Sequence, residues 1–297
     1  MKKNPGMIFL ALAILSLSCL SGCSLFSGTS GADRVSVPEP FFFIQMADPQ
    51  FGFFSKNKEF QRETVLYEKA ISEANRLKPD FVVVTGDLIN LPGSREQMDE
   101  YKRISALLDP AIPLYHVAGN HDVQNTPAPP DIAWYRDELG SDQYSFQRHG
   151  VSFIVLNSCI IQHPEKASVE EEEQWIWFER ELQKAQSGNP VPVIVFMHHP
   201  VCINSVDEPD GYFPLPKKAR MRLLELFRKY NVRAVFSGHY HRNAFARDGD
   251  IQLVTTGPVG RPLGKDPSGF RIVEVYPDRI DHTYYGLDSL PEEISFE

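Results

Sequence analysis

Five short apolar runs in this chain each end in residues whose side chains bind metals or carry protons. FFFIQMA (41–47) runs into Asp48 and Gln50, and FVVVT (81–85) runs into Gly86 and Asp87, with Asn90 three residues on. LYHVA (114–118) is followed by Gly119-Asn120-His121-Asp122, and VIVFM (193–197) by His198-His199-Pro200. AVFS (234–237) is followed by Gly238-His239-Tyr240-His241. A short continuous apolar run bounded by turn residues reads as a buried strand. In open α/β sheets, ligands bind outside the carboxyl ends of the strands. Any one of these segments alone has a plain explanation: Gly-Asp is a common turn, Asn-His-Asp a helix cap, and a His pair in a loop faces solvent. Together they deliver Asp, Asp, Asn, His and a His pair to one sheet edge. That donor set suits one or two transition metals with mixed oxygen and nitrogen ligands.

The segments between these runs fit the same layout. Helical periodicity runs from about Lys58 to Leu77 and is stopped by Pro79. Ser94 with Gln97 forms a capping box for a helix to about Leu108, and Ser168 with Glu171 caps another that ends near Gly188. Tyr144–Gln147 and Val151–Asn157 read as a hairpin, Lys217–Tyr230 as a helix, and Arg233–Ser237 as a strand. Trp175 and Phe178 are core candidates. The end, from Ile251 to about Tyr285, is strand-rich, with turns at Gly257, Gly269 and Pro277-Asp278. The front half is therefore βαβα, and the back half adds antiparallel strands. Parallel units need helices on their outer faces, so two packed sheets flanked by helices satisfy the pattern.

The first 37 residues stand apart. Lys2 and Lys3 precede an apolar run, Met7–Leu20, that is too short to span a bilayer comfortably and reads as a secretory signal. It ends in Leu20-Ser21-Gly22-Cys23, which resembles the lipobox of bacterial lipoproteins. The resemblance implies a signal peptide over 1–22, a lipid on Cys23, and a location in the bacterial cell envelope facing the periplasm or the outside. Residues 23–37 then form a Ser- and Gly-rich flexible tether, and 38–297 one folded domain. Removing two lysines takes the basic count from 30 to 28 against 39 acidic residues, and the net charge from -9 to -11. Such a chain is a poor general nucleic-acid binder. Processing leaves Cys159 and Cys202, which is no disulfide framework, and a bond between them stays open.

The order Asp48-Pro-Gln50, Gly86-Asp87-Leu-Ile-Asn90, Gly119-Asn-His-Asp122, His198-His-Pro200 and Gly238-His-Tyr-His241 resembles the calcineurin-like metallophosphoesterases over about residues 41–285. ADPQFG, GHYHRN, the acidic loop around Asp207–Phe213 and the ending YYGLDSL are similar to the branch of calcineurin-like phosphoesterase domain-containing protein 1. The resemblance implies an α/β four-layer αββα sandwich with two divalent ions, whether Mn, Fe, Zn or Mg. By that pattern Asp48, Asp87, Gln50 and His241 hold the first ion, and the bridging Asp87 with Asn120, His198 and His239 holds the second. Gln50 stands in the usual His place, and its neutral amide either makes the first ion the labile one or reaches that ion through water.

The implied reaction is hydrolysis of a phosphate ester by a metal-activated hydroxide, with Asp87 and His121 in the catalytic set and His121 as proton donor or phosphoryl contact. Asp122 either orients a catalytic His or caps the next helix. His199 is either an outer contact of the site or a packed neighbour of His198. Arg242, Asn90, Tyr212 and Arg261 are candidate substrate contacts, Arg for its bidentate fork. His116 is expected in the core, and His149 and His163 in solvent. The substrate is a phosphorylated small molecule, lipid or protein, with phosphodiesters or a non-catalytic envelope role as alternatives, and a monomer is expected. No His-Glu-x-x-His helix supports a zinc peptidase, and GPVGRPLG (257–264) lacks the Lys-Ser/Thr of a P-loop.

Overall fold

The computed structural model describes residues 39–187 and 190–296. The residues expected to form the signal peptide, the lipidated Cys23 and the tether lie outside the described residues. The five apolar runs become strands, and two sheets result. The first has β1 (Phe41–Met46), β2 (Val82–Val84), β3 (Leu114–His116), β10 (Gly269–Val275) and β11 (Ile280–Gly286), in the order β11-β10-β1-β2-β3. The second has β4 (Tyr144–Arg148), β5 (Val151–Val155), β6 (Val193–Phe196), β7 (Val232–Ser237), β8 (Ala244–Asp248) and β9 (Ile251–Thr255), in the order β4-β5-β6-β7-β9-β8. Pairing is parallel for β1-β2-β3 and for β5-β6-β7-β9, and antiparallel at the edges.

Strand alternation sorts the residues into layers. Phe42, Ile44 and Met46 of β1 face α1 (Gln61–Leu77) and α2 (Arg95–Ser105), packing with Tyr67, Ile71, Met98 and Tyr101. Phe41 and Phe43 point the other way, into a core between the sheets with Phe81, Phe153, Phe196 and Phe236. There Phe43 stacks on Phe81 at 4.7 Å and meets Phe196 and Phe236 edge-on at 5.5 and 5.7 Å. Offset and edge-on contacts of this kind are the favoured arrangements for aromatic rings. Ile154, Val193 and Val195 face outward against α6 (Ser168–Ala185) and α7 (Lys217–Lys229). The result is the expected four-layer αββα sandwich.

At the carboxyl end of the strands the inter-sheet core turns polar. Gln45, next on β1 toward the same side as Phe43, donates to Thr85 Oγ1 and Ser237 O at 3.0 Å each, and accepts from Thr256 Oγ1. Arg271 Nε donates to Thr256 Oγ1 at 2.8 Å. This satisfied network forms the floor on which the polar strand ends sit.

Several local expectations need correction. Ser168 is the first helical residue rather than a cap; Ala167 precedes it with no side-chain capping bond, and Glu171 accepts instead from the Trp175 indole. Ser94 caps α2 by accepting from Gln97 N, but the Gln97 side chain does not return to Ser94; it accepts from Asn90 N and Leu91 N. Helix α1 starts at Gln61, three residues after Lys58, because residues 55–59 form a turn closed on Ser55 Oγ. Gly269 opens β10 rather than making a turn. Further elements were not anticipated: α3 (Asn120–Val123), α4 (Pro129–Leu139), α5 (Ser158–Gln162) and edge strand β8. Cys159 and Cys202 are both free and buried, in different cores.

Candidate metal centre

Close backbone approach brings the strand ends together. Asp48 N donates to Gly86 O and Gln50 N to Asp87 O, which lays 48–50 along 86–88. Gly119 lies against Asp87 so tightly that a Cβ there would come within 2.0 Å of Asp87 N. A Cβ on Gly86, which has φ +87°, would meet the His198 ring at 2.5 Å. Asp48, Gln50, Asp87, His239 and His241 all adopt left-handed backbone, with φ between 43° and 67°. Each such non-glycine residue costs about 1–2 kcal/mol, and strain of this kind persists where the surroundings over-determine it, as at binding sites.

Two groups of buried side chains converge. Ligand atoms of Asp87, His198 and His239 lie within 4.8 Å of one another, as do those of Asp48, Asp87 and His241, so Asp87 is common to both. His198 Nε2 is 3.3 Å from Asp87 Oδ1, 3.0 Å from Asn120 Oδ1 and 3.2 Å from His239 Nδ1. His241 Nε2 is 3.6 Å from Asp48 Oδ1.

Every histidine of the site has its other ring nitrogen against a backbone carbonyl. His198 Nδ1 faces Thr85 O at 2.9 Å, His239 Nε2 faces Tyr212 O at 3.4 Å, His241 Nδ1 faces Arg261 O at 2.7 Å, and His121 Nδ1 faces Asn90 O at 2.8 Å. A carbonyl only accepts, so each of these nitrogens carries a hydrogen and the opposite one is the atom left to face the centre. Metal-binding histidines are oriented in this way.

The electrostatics ask for positive charge. Burial raises the Asp48 carboxyl well above its ordinary range, and neighbouring Asp87 adds to the rise. Burial opposes ionisation of Asp87 too, but His198 and His121 hold its carboxyl below the usual range. Burial likewise disfavours charge on His198, yet Asp87 outweighs it and pushes the imidazole up to about 9. Burial takes His239 down to about 3 and His241 to about 4, so both are neutral imidazoles near pH 7, the form that binds a metal.

Gln50 provides a further test of fit. Its Nε2 donates to Asn90 Oδ1 at 3.2 Å, and Asn90 Nδ2 in turn donates to Asn57 Oδ1. This fixes the amide with Oε1 as the remaining atom. That oxygen is buried with no hydrogen-bond partner. A buried acceptor left unpaired carries a penalty of about 1–3 kcal/mol, which a cation relieves. Two buried carboxylates, two neutral imidazoles, a third imidazole, an amide oxygen and an orphaned amide oxygen fit divalent ions.

The remaining candidates are placed as follows. The His121 backbone N donates to Asp87 Oδ1 at 2.9 Å, which ties the start of α3 to the shared carboxylate, and the His121 ring is held by Asn90 O. Asp122 does not orient His121. Its carboxylate accepts from Leu88 N, Ile89 N and Gly119 N and ties the 86–89 turn to the start of α3, which agrees with a capping role. Asn90 is used on Gln50 and His121, so it positions the site rather than facing substrate. His199 is a packed neighbour whose Nδ1 meets Ser158 Oγ at 3.1 Å. Arg242 turns away, donating to Leu263 O and lying over the Tyr240 ring. Tyr212 and Phe213 pack on the His239 ring at 5.2 and 5.5 Å. His116 is satisfied by Tyr101 Oη at 2.7 Å. His149 is exposed but pairs with Asp80. The positioning carbonyls of Thr85, Tyr212 and Arg261 were not foreseen, since backbone atoms leave no trace in residue type.

The comparisons with known proteins agree with this geometry. Residues 43–243 match the family described as Calcineurin-like phosphoesterase. Over 270 residues the chain is 39% identical to Serine/threonine-protein phosphatase CPPED1 of Homo sapiens, covering 86% of each. It is 27% identical to Glycerophosphodiester phosphodiesterase GpdQ of Enterobacter lignolyticus, covering 58% of this chain and 60% of that one. Among solved structures, a dimetal phosphatase from Danio rerio shares the fold with a TM-score of 0.60 at 19% identity, over 84% of this chain and 97% of that one. The chain belongs to the calcineurin-like phosphoesterase family, and it is a metal-dependent hydrolase of phosphoric esters.

Proposed function

We propose that this calcineurin-like phosphoesterase removes phosphate from phosphomonoesters, with phosphorylated serine and threonine side chains as the favoured substrates. The carrying observation is the sharing of Asp87 by two buried ligand groups, which suits a pair of ions across one phosphoryl group. The substrate class is supported by the similarity to relatives named serine/threonine-protein phosphatases.

In this reading Asp48, Gln50, Asp87 and His241 hold one ion, and Asp87, Asn120, His198 and His239 the other. Two divalent ions bound there would supply hydroxide at neutral pH and neutralise charge on the attacking and leaving oxygens. The chain's own residues do the rest. The carbonyls of Thr85, Tyr212 and Arg261 hold the imidazoles in register. His121 turns Nε2 outward by donating from Nδ1 to Asn90 O, so that nitrogen is the one available to a leaving-group oxygen. The neutral amide of Gln50 makes its ion the more weakly held.

Lipid attachment at Cys23 and a place in the bacterial envelope complete the reading, supported by the Lys2-Lys3, Met7–Leu20 and Leu20–Cys23 pattern. Loss of metabolic lipid labelling in Cys23→Ser is the expected result, and labelling that persists contradicts it. The activity is tested on the purified chain loaded with Mn, comparing phosphoserine and phosphothreonine peptides with bis-aryl phosphate and glycerophosphodiesters. Monoesters are expected to react faster, with His121→Ala slower by about 10²-fold or more. Faster diester hydrolysis would transfer the reading to a phosphodiesterase, and no hydrolysis above His121→Ala would end it.

A further inference from the structure

Beside the His241 edge of the centre, two arginines share one aromatic ring. Phe53 follows Gln50 by three residues, and its ring meets the His241 imidazole edge-on at 5.1 Å. The Arg261 guanidinium lies 5.3 Å from the Phe53 ring centre and 6.0 Å from that of Phe54. The Arg62 guanidinium, from the first turn of α1, lies 3.9 Å over the same Phe54 ring. Neither guanidinium has a carboxylate or a hydrogen-bond acceptor among the described residues, whereas Arg76, Arg103, Arg136 and Arg228 are paired with carboxylates. The adjacent acid, Glu63, is buried and accepts from Phe54 N.

We propose that Arg62 and Arg261 form an anion subsite that selects phosphate esters carrying a second negative group. The inference rests on the phosphoesterase reading of the neighbouring centre. Stacking on a ring fixes a guanidinium by its face and leaves its N–H edge open, the geometry that grips a carboxylate or phosphate in two places. Two such cations drawn to one ring repel each other until an anion lies between them. This happens in a chain with 39 acidic residues against 30 basic ones, where nearby carboxylate partners are plentiful. The reach is right as well. Arg261 is fixed to the centre by its own carbonyl on His241, and its guanidinium lies within about 10 Å of the His241 ring by way of Phe53. An extended peptide advances about 3.3 Å per residue, so an acidic side chain two or three residues from a phosphoserine spans that gap. A small bisphosphate offers the same second charge.

The test uses the metal-loaded full chain and the Arg62→Gln/Arg261→Gln double variant. Both side chains are at least partly exposed, and the change leaves the Arg261 carbonyl in place. Probes are a phosphoserine peptide with glutamates two and three residues on, the same peptide with glutamines, and a sugar bisphosphate beside its monophosphate. The parent is expected to show a KM at least tenfold lower for the doubly charged member of one pair. That preference is expected to fall within twofold in the variant and in 0.3 M salt. Whichever pair discriminates identifies the source of the second charge. Equal KM values within both pairs, or a preference that survives in the variant, overturn the subsite. Calorimetric binding of the same probes to His121→Ala separates the two readings. A binding preference without turnover by the parent removes the phosphoesterase reading and keeps the subsite, and turnover without preference does the reverse.

Discussion

Gly119→Ala is a change that backbone reasoning calls harmless and the packing forbids. Gly119 has φ −104° and ψ 167°, ordinary extended backbone that alanine adopts freely. Replacing glycine at such a position stabilises a protein by about 0.4–1 kcal/mol through the unfolded state. The added Cβ, however, would sit 2.0 Å from Asp87 N, 2.3 Å from Asp87 Oδ1 and 2.8 Å from Asp87 Cα. Real Cβ atoms stay beyond 3.0 Å, so the two turns have to separate by about 1 Å. The displaced atoms are the Asp87 backbone and its buried carboxylate, with no long flexible side chain to absorb the shift.

Overpacking of this kind costs about 1–3 kcal/mol, and here the upper end applies. At roughly 2–4 °C per kcal/mol for a domain of this size, the melting temperature falls by about 6–12 °C. A misplacement of about 1 Å at a reacting centre costs on the order of 10²-fold in rate. Gly150→Ala is the control: its φ of +76° strains alanine, but a Cβ there meets nothing within 4 Å. It is expected to lose about 1–2 kcal/mol and no activity. Thermal melts and initial rates on a phosphomonoester decide the matter. A Gly119→Ala variant that melts and turns over like the parent would refute the close approach of the two turns.

Gln50→His, by replacing the neutral amide with an imidazole, is expected to tighten the weaker ion about tenfold in competition titrations; unchanged affinity would exclude Gln50 as a ligand. Arg220, fully buried, donates to Val206 O, Glu208 O and Leu215 O and so clamps the loop that carries Tyr212 over His239. Arg220→Met is expected to lose about 3 kcal/mol in urea unfolding and to be cut sooner by protease within 203–216, and equal stability with equal protection would contradict the clamp. Burial, with nearby Lys102, lowers the His116 pKa from 6.5 to about 4, so the folded state disfavours its protonated form. Its contribution is complete above pH 6.5 and is lost as pH falls toward 4. His116→Gln is therefore expected to lose about 1–2 kcal/mol less than the parent over that range, and parallel melting curves would contradict it.

The candidate donor residues and their order along the chain could be read from residue types, because buried strands advertise themselves as apolar runs and their ends as Asp, Asn and His. The sandwich followed from the same runs, since each strand carries one face for helices and one for the opposite sheet. What escaped has physical reasons. AFARD in β8 is an edge strand with Phe245 exposed, so no continuous apolar run marks it. In α4 the two leading prolines and the mixed faces hide a helix that Asp131 caps by accepting from Ala128 N. The left-handed backbone at Asp48, Asp87 and His241 has no residue-type signature comparable to glycine, and the carbonyls behind each imidazole have none at all. Gln50, which looked like a departure, acquired meaning only when Asn90 was found holding its nitrogen and leaving its oxygen unpaired.

The central claim is that Asp87 is shared by two ions. Metal stoichiometry by elemental analysis of the purified chain, beside that of Asp87→Ala, tests it most directly. Two divalent ions per parent chain are expected, with at most one weakly held ion in Asp87→Ala and a matching loss of ester hydrolysis. A parent chain that takes up no metal, or an Asp87→Ala chain that keeps two ions and full hydrolysis, would contradict it.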